Sequence, residues 1–197
     1  MNIFFDTEFT GLRKDTTLIS IGMIAENGKT FYAELTDYNE ELCNVWINDM
    51  VIKNLYSRYP KQLDEAPYIE NFHTGNKECI AKALKMWLKQ FDDVQFISDV
   101  CHYDMVLLID LFGTAFDLPK NVSAVCHDIN QDIARYYGIS SREAFDKSRE
   151  KIVKELCGKE ISGEKHNSLY DAKVIKAIYD EIKNSKGIHM GKKVIVR

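Results

Sequence analysis

The sequence predicts an α/β fold, a mixed β-sheet flanked by helices. Three observations carry this reading. The chain opens with strand-like stretches close enough together to pair antiparallel, its middle alternates helical and strand patterns, and its last part is helical. Residues 3–7 read as a strand, and a polar loop over 13–16 leads into a second strand, residues 18–25. Asn27-Gly28 is a tight-turn pair, so residues 30–35 return as a third strand and close a hairpin. Residues 40–56 turn helical, and 60–75 read as loop. Residues 76–91 form an amphipathic helix with Ile80, Ala83, Leu84, Trp87 and Phe91 on one face. A short buried strand over 94–98 precedes an almost wholly apolar helix over 103–112, which Gly113 would end. Helices near 128–137, 141–157 and 168–183 complete the expected domain.

No repeat, low-complexity tract or linker divides the 197 residues, so residues 1–185 read as one domain. Residues 186–197 form a basic tail ending in Val194-Ile195-Val196. No apolar run is long enough to span a membrane and no signal peptide is evident, which points to the cytoplasm. Five cysteines at scattered spacings, Cys43, Cys79, Cys101, Cys126 and Cys157, read as reduced thiols. A net charge of −4 argues against a protein that coats nucleic acid through bulk positive charge. It leaves room for an enzyme whose acidic site becomes attractive to phosphate once divalent metal binds.

The informative residues are carboxylates on faces expected to point inward. Asp6 and Glu8, two apart at the end of the first strand, share one side of the sheet. Paired like charges there repel unless a cation joins them; taken alone, the pair reads as solvated residues beside a turn. Asp104 lies within about 60° of Leu107, Leu108, Leu111 and Ala115 on the helical wheel, whereas Asp110 falls on the opposite side. Taken by itself, a favourable helix-dipole contact near the helix start accounts for Asp104 equally well. Asp171 shares a face with Ile175, Ile178 and Ile182, although Ser168-x-x-Asp171 also looks like a capping box. His166, on the loop before that helix, is placed to take a proton from water. The convergence of three segments is more telling than any one of them.

These residues resemble the DEDDh group of 3′–5′ exonucleases within the ribonuclease H-like superfamily. The D-x-E motif matches Asp6 and Glu8, the aromatic-Asp motif matches Tyr103-Asp104, and the His-x4-Asp motif matches His166 and Asp171. The opening Phe4-Phe5-Asp6-Thr7-Glu8-Phe9 looks closest to small bacterial and phage exoribonucleases. The chain departs from many relatives at Phe9, Val100 and Ser168, and residues 37–75 match no motif. Asp99 rivals Asp104 for the second-motif carboxylate; the preceding aromatic and the inward phase favour Asp104.

The resemblance implies a ribonuclease H-like sheet and two divalent ions, Mg2+ or Mn2+, held by Asp6, Glu8, Asp104 and Asp171. It implies His166 as general base and release of nucleoside 5′-monophosphates from single-stranded 3′ ends. RNA is favoured over DNA as the partner, and a homodimer is compatible with the apolar end of the tail. Thr7, Phe9 and Tyr103 are the candidate substrate contacts, the aromatics by stacking on bases. Lys147, Arg149, Lys151 and Lys154 are candidates to line the incoming strand. The alternatives are a DNA-directed exonuclease, an aspartyl-phosphate phosphatase, disfavoured because Glu8 stands where that class has Asp, and a non-catalytic nucleic-acid-binding module.

Overall fold

The computed structural model describes residues 1–58 and 69–189. Six strands form one mixed sheet: β1 (Asn2–Phe9), β2 (Leu18–Ala25), β3 (Thr30–Leu35), β4 (Phe72–Gly75), β5 (Val94–Ser98) and β6 (Val122–Asp128), in the order β4-β3-β2-β1-β5-β6. β1, β2 and β3 pair antiparallel, with Asp6 opposite Gly22. β4, β5 and β6 join in parallel. The helices are α1 (Val45–Met50), α2 (Lys77–Leu88), α3 (Cys101–Phe112), α4 (Ile129–Tyr137), α5 (Ser141–Asp146), α6 (Arg149–Cys157) and α7 (Ser168–His189).

The strand pleat sorts β1 between two cores. Ile3 and Phe5 join the apolar cluster that holds Ile80, Leu84 and Trp87 of α2 with Leu107, Leu108 and Leu111 of α3. Phe4 points the other way, into a cluster with Ile133 of α4, Ile152 of α6 and Ile175, Ile178 and Ile182 of α7. By the same alternation Asp6 and Glu8 continue the α7 side, whereas Thr7 faces α3. A third, smaller core of Ile19, Tyr38, Ile47, Val51, Ile52 and Leu55 seats α1 against β2.

The structure corrects the sequence reading at the sheet edges and in two helices. β6 is a strand where the sequence pattern shows none, and β4 lies in a stretch that reads as loop; residues 59–68 of that stretch lie outside the described residues. Both strands are edges of the sheet, where one neighbour is missing and the inward–outward contrast weakens: Ser123, Ala124 and Val125 of β6 are all exposed. The helix expected over 141–157 breaks at Lys147, whose backbone is extended, and Ser148 caps α6 by accepting the Lys151 N–H. The helical stretch over 40–56 is α1 between two single 3-10 turns. The last helix reaches His189, into the stretch that reads as tail; the apolar tail end lies outside the described residues. The five cysteines are free thiols, as expected. No helix among the described residues is long and apolar enough to cross a membrane.

Candidate active site

A cleft of about 560 Å3 opens at the C-terminal end of β1, lined by Asp6, Glu8, Asp99, His166 and Asp171. Three chain segments deliver these groups. β1 brings Asp6 and Glu8, both 9% exposed or less. The β5–α3 junction brings Asp99, with Asp104 on the first turn of α3 beneath it. The start of α7 brings Asp171 and, from the preceding loop, His166. Two sets of donor atoms result, each within 4.8 Å: Glu8, His166 and Asp171 in one, Asp6, Asp99 and Asp104 in the other.

Asp104 points inward as its helical phase predicts and is fully buried, while Asp110 is exposed and paired with Lys77 at 2.6 Å. Thr7 donates its hydroxyl to Asp104 Oδ1 at 2.6 Å, and Ser98 donates to Oδ2. Asp99 is more accessible and is bridged by the Arg149 guanidinium at 2.8 Å. Both acids of the second-motif rivalry therefore reach the site, one from the cleft wall and one from below.

Asp171 is not the capping-box residue that Ser168-x-x-Asp171 suggested. Asn167 caps α7, its side chain accepting the Tyr170 N–H, and the Ser168 hydroxyl meets that of Ser20 at 3.0 Å. Asp171 instead accepts the backbone N–H of His166 at 2.9 Å. His166 has φ 64, the one left-handed residue other than glycine in the chain's described part. That conformation is uncommon for a side chain of this size and persists only where surroundings hold it. Here the Asn54 side chain donates to Lys165 O at 2.9 Å, Asn167 donates to Asn54 O, and Trp46 meets the imidazole edge-on at 5.0 Å. The His166 Nδ1 lies 3.9 Å from Glu8 Oε1.

Crowding sets the electrostatics. Burial, then the charges of Asp104, Asp171 and Glu8, hold the Asp6 carboxyl well above its ordinary range. Burial, then Asp171 and Asp104, does the same to Glu8. Burial lifts Asp104 to about 7 against the pull of the Ser98 and Thr7 hydroxyls. Asp171 also rises to about 7, through burial and then Asp99. Burial lowers the His166 imidazole, which is therefore neutral near pH 7. Such a cluster is costly to ionise without a cation, and its donors are hard oxygens of the kind that hold Mg2+ or Mn2+.

The sequence matches the family described as the 3′–5′ exoribonuclease Rv2179c-like domain over residues 1–183. The chain belongs to that family. It is 29% identical over 133 residues to the 3′–5′ exoribonuclease Rv2179c of Mycobacterium tuberculosis strain H37Rv, covering 66% of this chain and 73% of the relative. The fold is similar to the nuclease domain of 3′hExo, a DEDDh family member solved with rAMP, at TM-score 0.59 and 14% identity over 94% of this chain and 92% of that one. It is also similar to S. pombe Pop2p in its Mg2+- and Mn2+-bound form, at TM-score 0.56 and 15% identity over 93% and 82%. The fold is thus that of the ribonuclease H-like exonucleases, and the protein is a 3′–5′ exonuclease by family.

Within this exonuclease the expected substrate contacts separate. Phe9 lines the cleft, half-buried, and stacks on Tyr103 with ring centroids 5.2 Å apart and planes 13° off parallel. Tyr103 itself lines a different hollow on the far side of that stack. Thr7 borders the cleft, but its hydroxyl is committed to Asp104, so only its backbone is available to a ribose. Lys147 and Arg149 line the cleft; Lys151 and Lys154 do not. Sequence reasoning missed Leu12, Trp46 and Phe145, each more than half exposed and each on the cleft wall. An exposed Trp at the start of a short helix was the available signal, but nothing in residues 37–75 tied it to the distant carboxylates.

Proposed function

We propose that this exonuclease removes nucleoside 5′-monophosphates from the 3′ end of single-stranded RNA, with Asp6, Glu8, Asp104 and Asp171 holding two divalent ions. The observation that carries the reading is the convergence of these carboxylates, all raised by burial and Asp6 and Glu8 further raised by Asp104 and Asp171, beside a neutral imidazole. The two donor sets fit two cations, Glu8 and Asp171 contributing to one and Asp6 with Asp104 to the other. Asp99 is available to the second set if Arg149 releases it. Bound Mg2+ or Mn2+ supplies Lewis-acid polarisation of the scissile phosphate.

The chain's own residues do the rest. His166, neutral and on the cleft wall, accepts the proton of the attacking water. Asn54, Trp46 and Asp171 fix that imidazole despite its unfavourable backbone. Trp46, Phe145 and Leu12 offer apolar surface to the terminal base, and stacking suits an enzyme that must accept any sequence. The backbone at Thr7 and Glu8 borders the terminal ribose, where a 2′-hydroxyl distinguishes RNA from DNA.

The test is Mg2+- or Mn2+-dependent shortening of a 5′-labelled single-stranded RNA, beside its DNA counterpart and the same RNA carrying a 3′-phosphate. A one-nucleotide ladder on the free RNA end, faster than on DNA, is the expected result. Faster DNA shortening would assign the enzyme to DNA, and intact substrate throughout would leave a nucleic-acid-binding module.

A further inference from the structure

The cleft accounts for the terminal nucleotide, but an RNA chain continues in the 5′ direction. A hollow of about 530 Å3 lies behind the Phe9–Tyr103 stack, lined among others by Arg13, Lys14, His102, Tyr103 and Val106. The stack is a shared wall: Phe9 faces the catalytic cleft, Tyr103 the hollow. Arg13 bridges the two at the rim. A Cβ on Gly11, which borders the cleft, would lie 3.2 Å from its guanidinium.

Charge separates this route from the one along α6. Arg149 is paired with Asp99, Lys147 with Glu155, Lys154 with Glu160 and Lys165 with Glu150. Phosphates arriving there would meet cations already neutralised, Lys151 excepted, which has no ion pair among the described residues. Arg13 and Lys14 are exposed and have no ion pair among the described residues; the guanidinium's hydrogen bond is to Leu42 O at 3.4 Å. Of the two acids in the hollow, Asp110 is neutralised by Lys77, which leaves Asp15 against two cations. Unpaired cations beside an accessible aromatic face are what single-stranded nucleic acid binds, through phosphate contacts and base stacking.

We infer that the nucleotides 5′ to the scissile one leave the cleft across the Phe9–Tyr103 wall and occupy this hollow, their phosphates on Arg13 and Lys14, rather than following α6. The inference rests on the exonuclease reading above and adds a subsite and a direction to it.

The experiment compares hydrolysis of a ribodinucleotide and a ribohexanucleotide across a KCl series. Wild type is compared with Lys14→Gln, with the Arg13→Gln/Lys14→Gln double variant and with a Lys151→Gln/Lys154→Gln control. The wild type should bind the hexamer more tightly than the dimer. The Arg13/Lys14 double variant should raise the hexamer KM about tenfold and leave kcat and the dimer KM within about twofold. Its slope of log KM against log salt should fall by about 0.7 for each phosphate that is no longer neutralised. Lys14→Gln alone, on an exposed loop where folding is not at stake, should give a smaller change in the same sense. Equal hexamer-to-dimer KM ratios in wild type and double variant, or an effect confined to the Lys151/Lys154 control, would overturn the route. Failure to cleave either length would instead overturn the exonuclease reading, and the route with it.

Discussion

A Cβ placed on Gly22 would lie 2.2 Å from the backbone nitrogen of Leu169. The absence of a side chain at that one strand position lets the first turn of α7 rest on β2. Gly22 pairs with Asp6 across the sheet, so the same close approach sets Asp171 over the Asp6 and Glu8 side of β1.

Gly22→Ala should therefore both destabilise and inactivate. Relief of an intrinsically unfavourable strand glycine is worth about 0.5–1 kcal/mol, but forcing a methyl against helix backbone costs about 1–3 kcal/mol or more. The clash wins. Urea unfolding should show the net loss, and Mn2+ titration should show weaker binding as α7 lifts.

Asp171→Asn should abolish hydrolysis and leave the fold intact, since an amide oxygen still accepts the His166 N–H. Removing one charge from a repelling cluster should also make the metal-free variant more stable than wild type at pH 8. Full activity would remove Asp171 from the metal site, and a lower melting temperature would contradict the repulsion.

The pH dependence of the metal-free protein should run opposite to that of ordinary salt-bridged carboxylates. Asp104 and Asp171 titrate near 7 when folded, against 3.8 as their ordinary value. Between about pH 4 and 7 the unfolded chain has lost these protons while the folded one retains them. The folded state thus binds more protons, and its stability falls as pH rises through that window. Thermal melts of wild type against Asp171→Asn should converge near pH 4 and diverge towards pH 8. Saturating Mg2+ should close the gap by binding only the folded wild-type site.

His166→Ala should lower kcat by about 10²–10⁴-fold, the usual contribution of a positioned base. Mg2+ affinity should change little. Loss of the acidic limb of the pH–rate profile would identify the imidazole as the proton acceptor; an unchanged profile would remove that role.

Trp46→Ala tests the base-stacking wall. Loss of one stacking partner, about 1–3 kcal/mol, corresponds to a rise in KM of roughly 5- to 150-fold. Because Trp46 also abuts His166, kcat should fall as well, by less than in His166→Ala. Retention of wild-type KM would place the terminal base elsewhere.

The sequence by itself determined the central architecture and the carboxylates and histidine that the fold brings together. The strands β1, β2, β3 and β5 are buried on both faces or alternate cleanly, and the α2, α3 and α7 stripes follow helical spacing. Asp104 and Asp171 therefore revealed their inward direction from neighbours a few residues away, and the His-x4-Asp spacing drew attention to His166. Only the tertiary structure decided what surrounds them. The edge strands β4 and β6 lack a second neighbour and so carry little pattern. Asp99, Trp46, Phe145 and Asn54 enter the site from segments dozens of residues apart. That Arg13 and Lys14 have no ion pair among the described residues depends on which acids other cations have already taken. Local periodicity records which face of an element is dry; it holds no record of which distant side chains share a cleft, because that is fixed by close approaches such as Gly22 against Leu169.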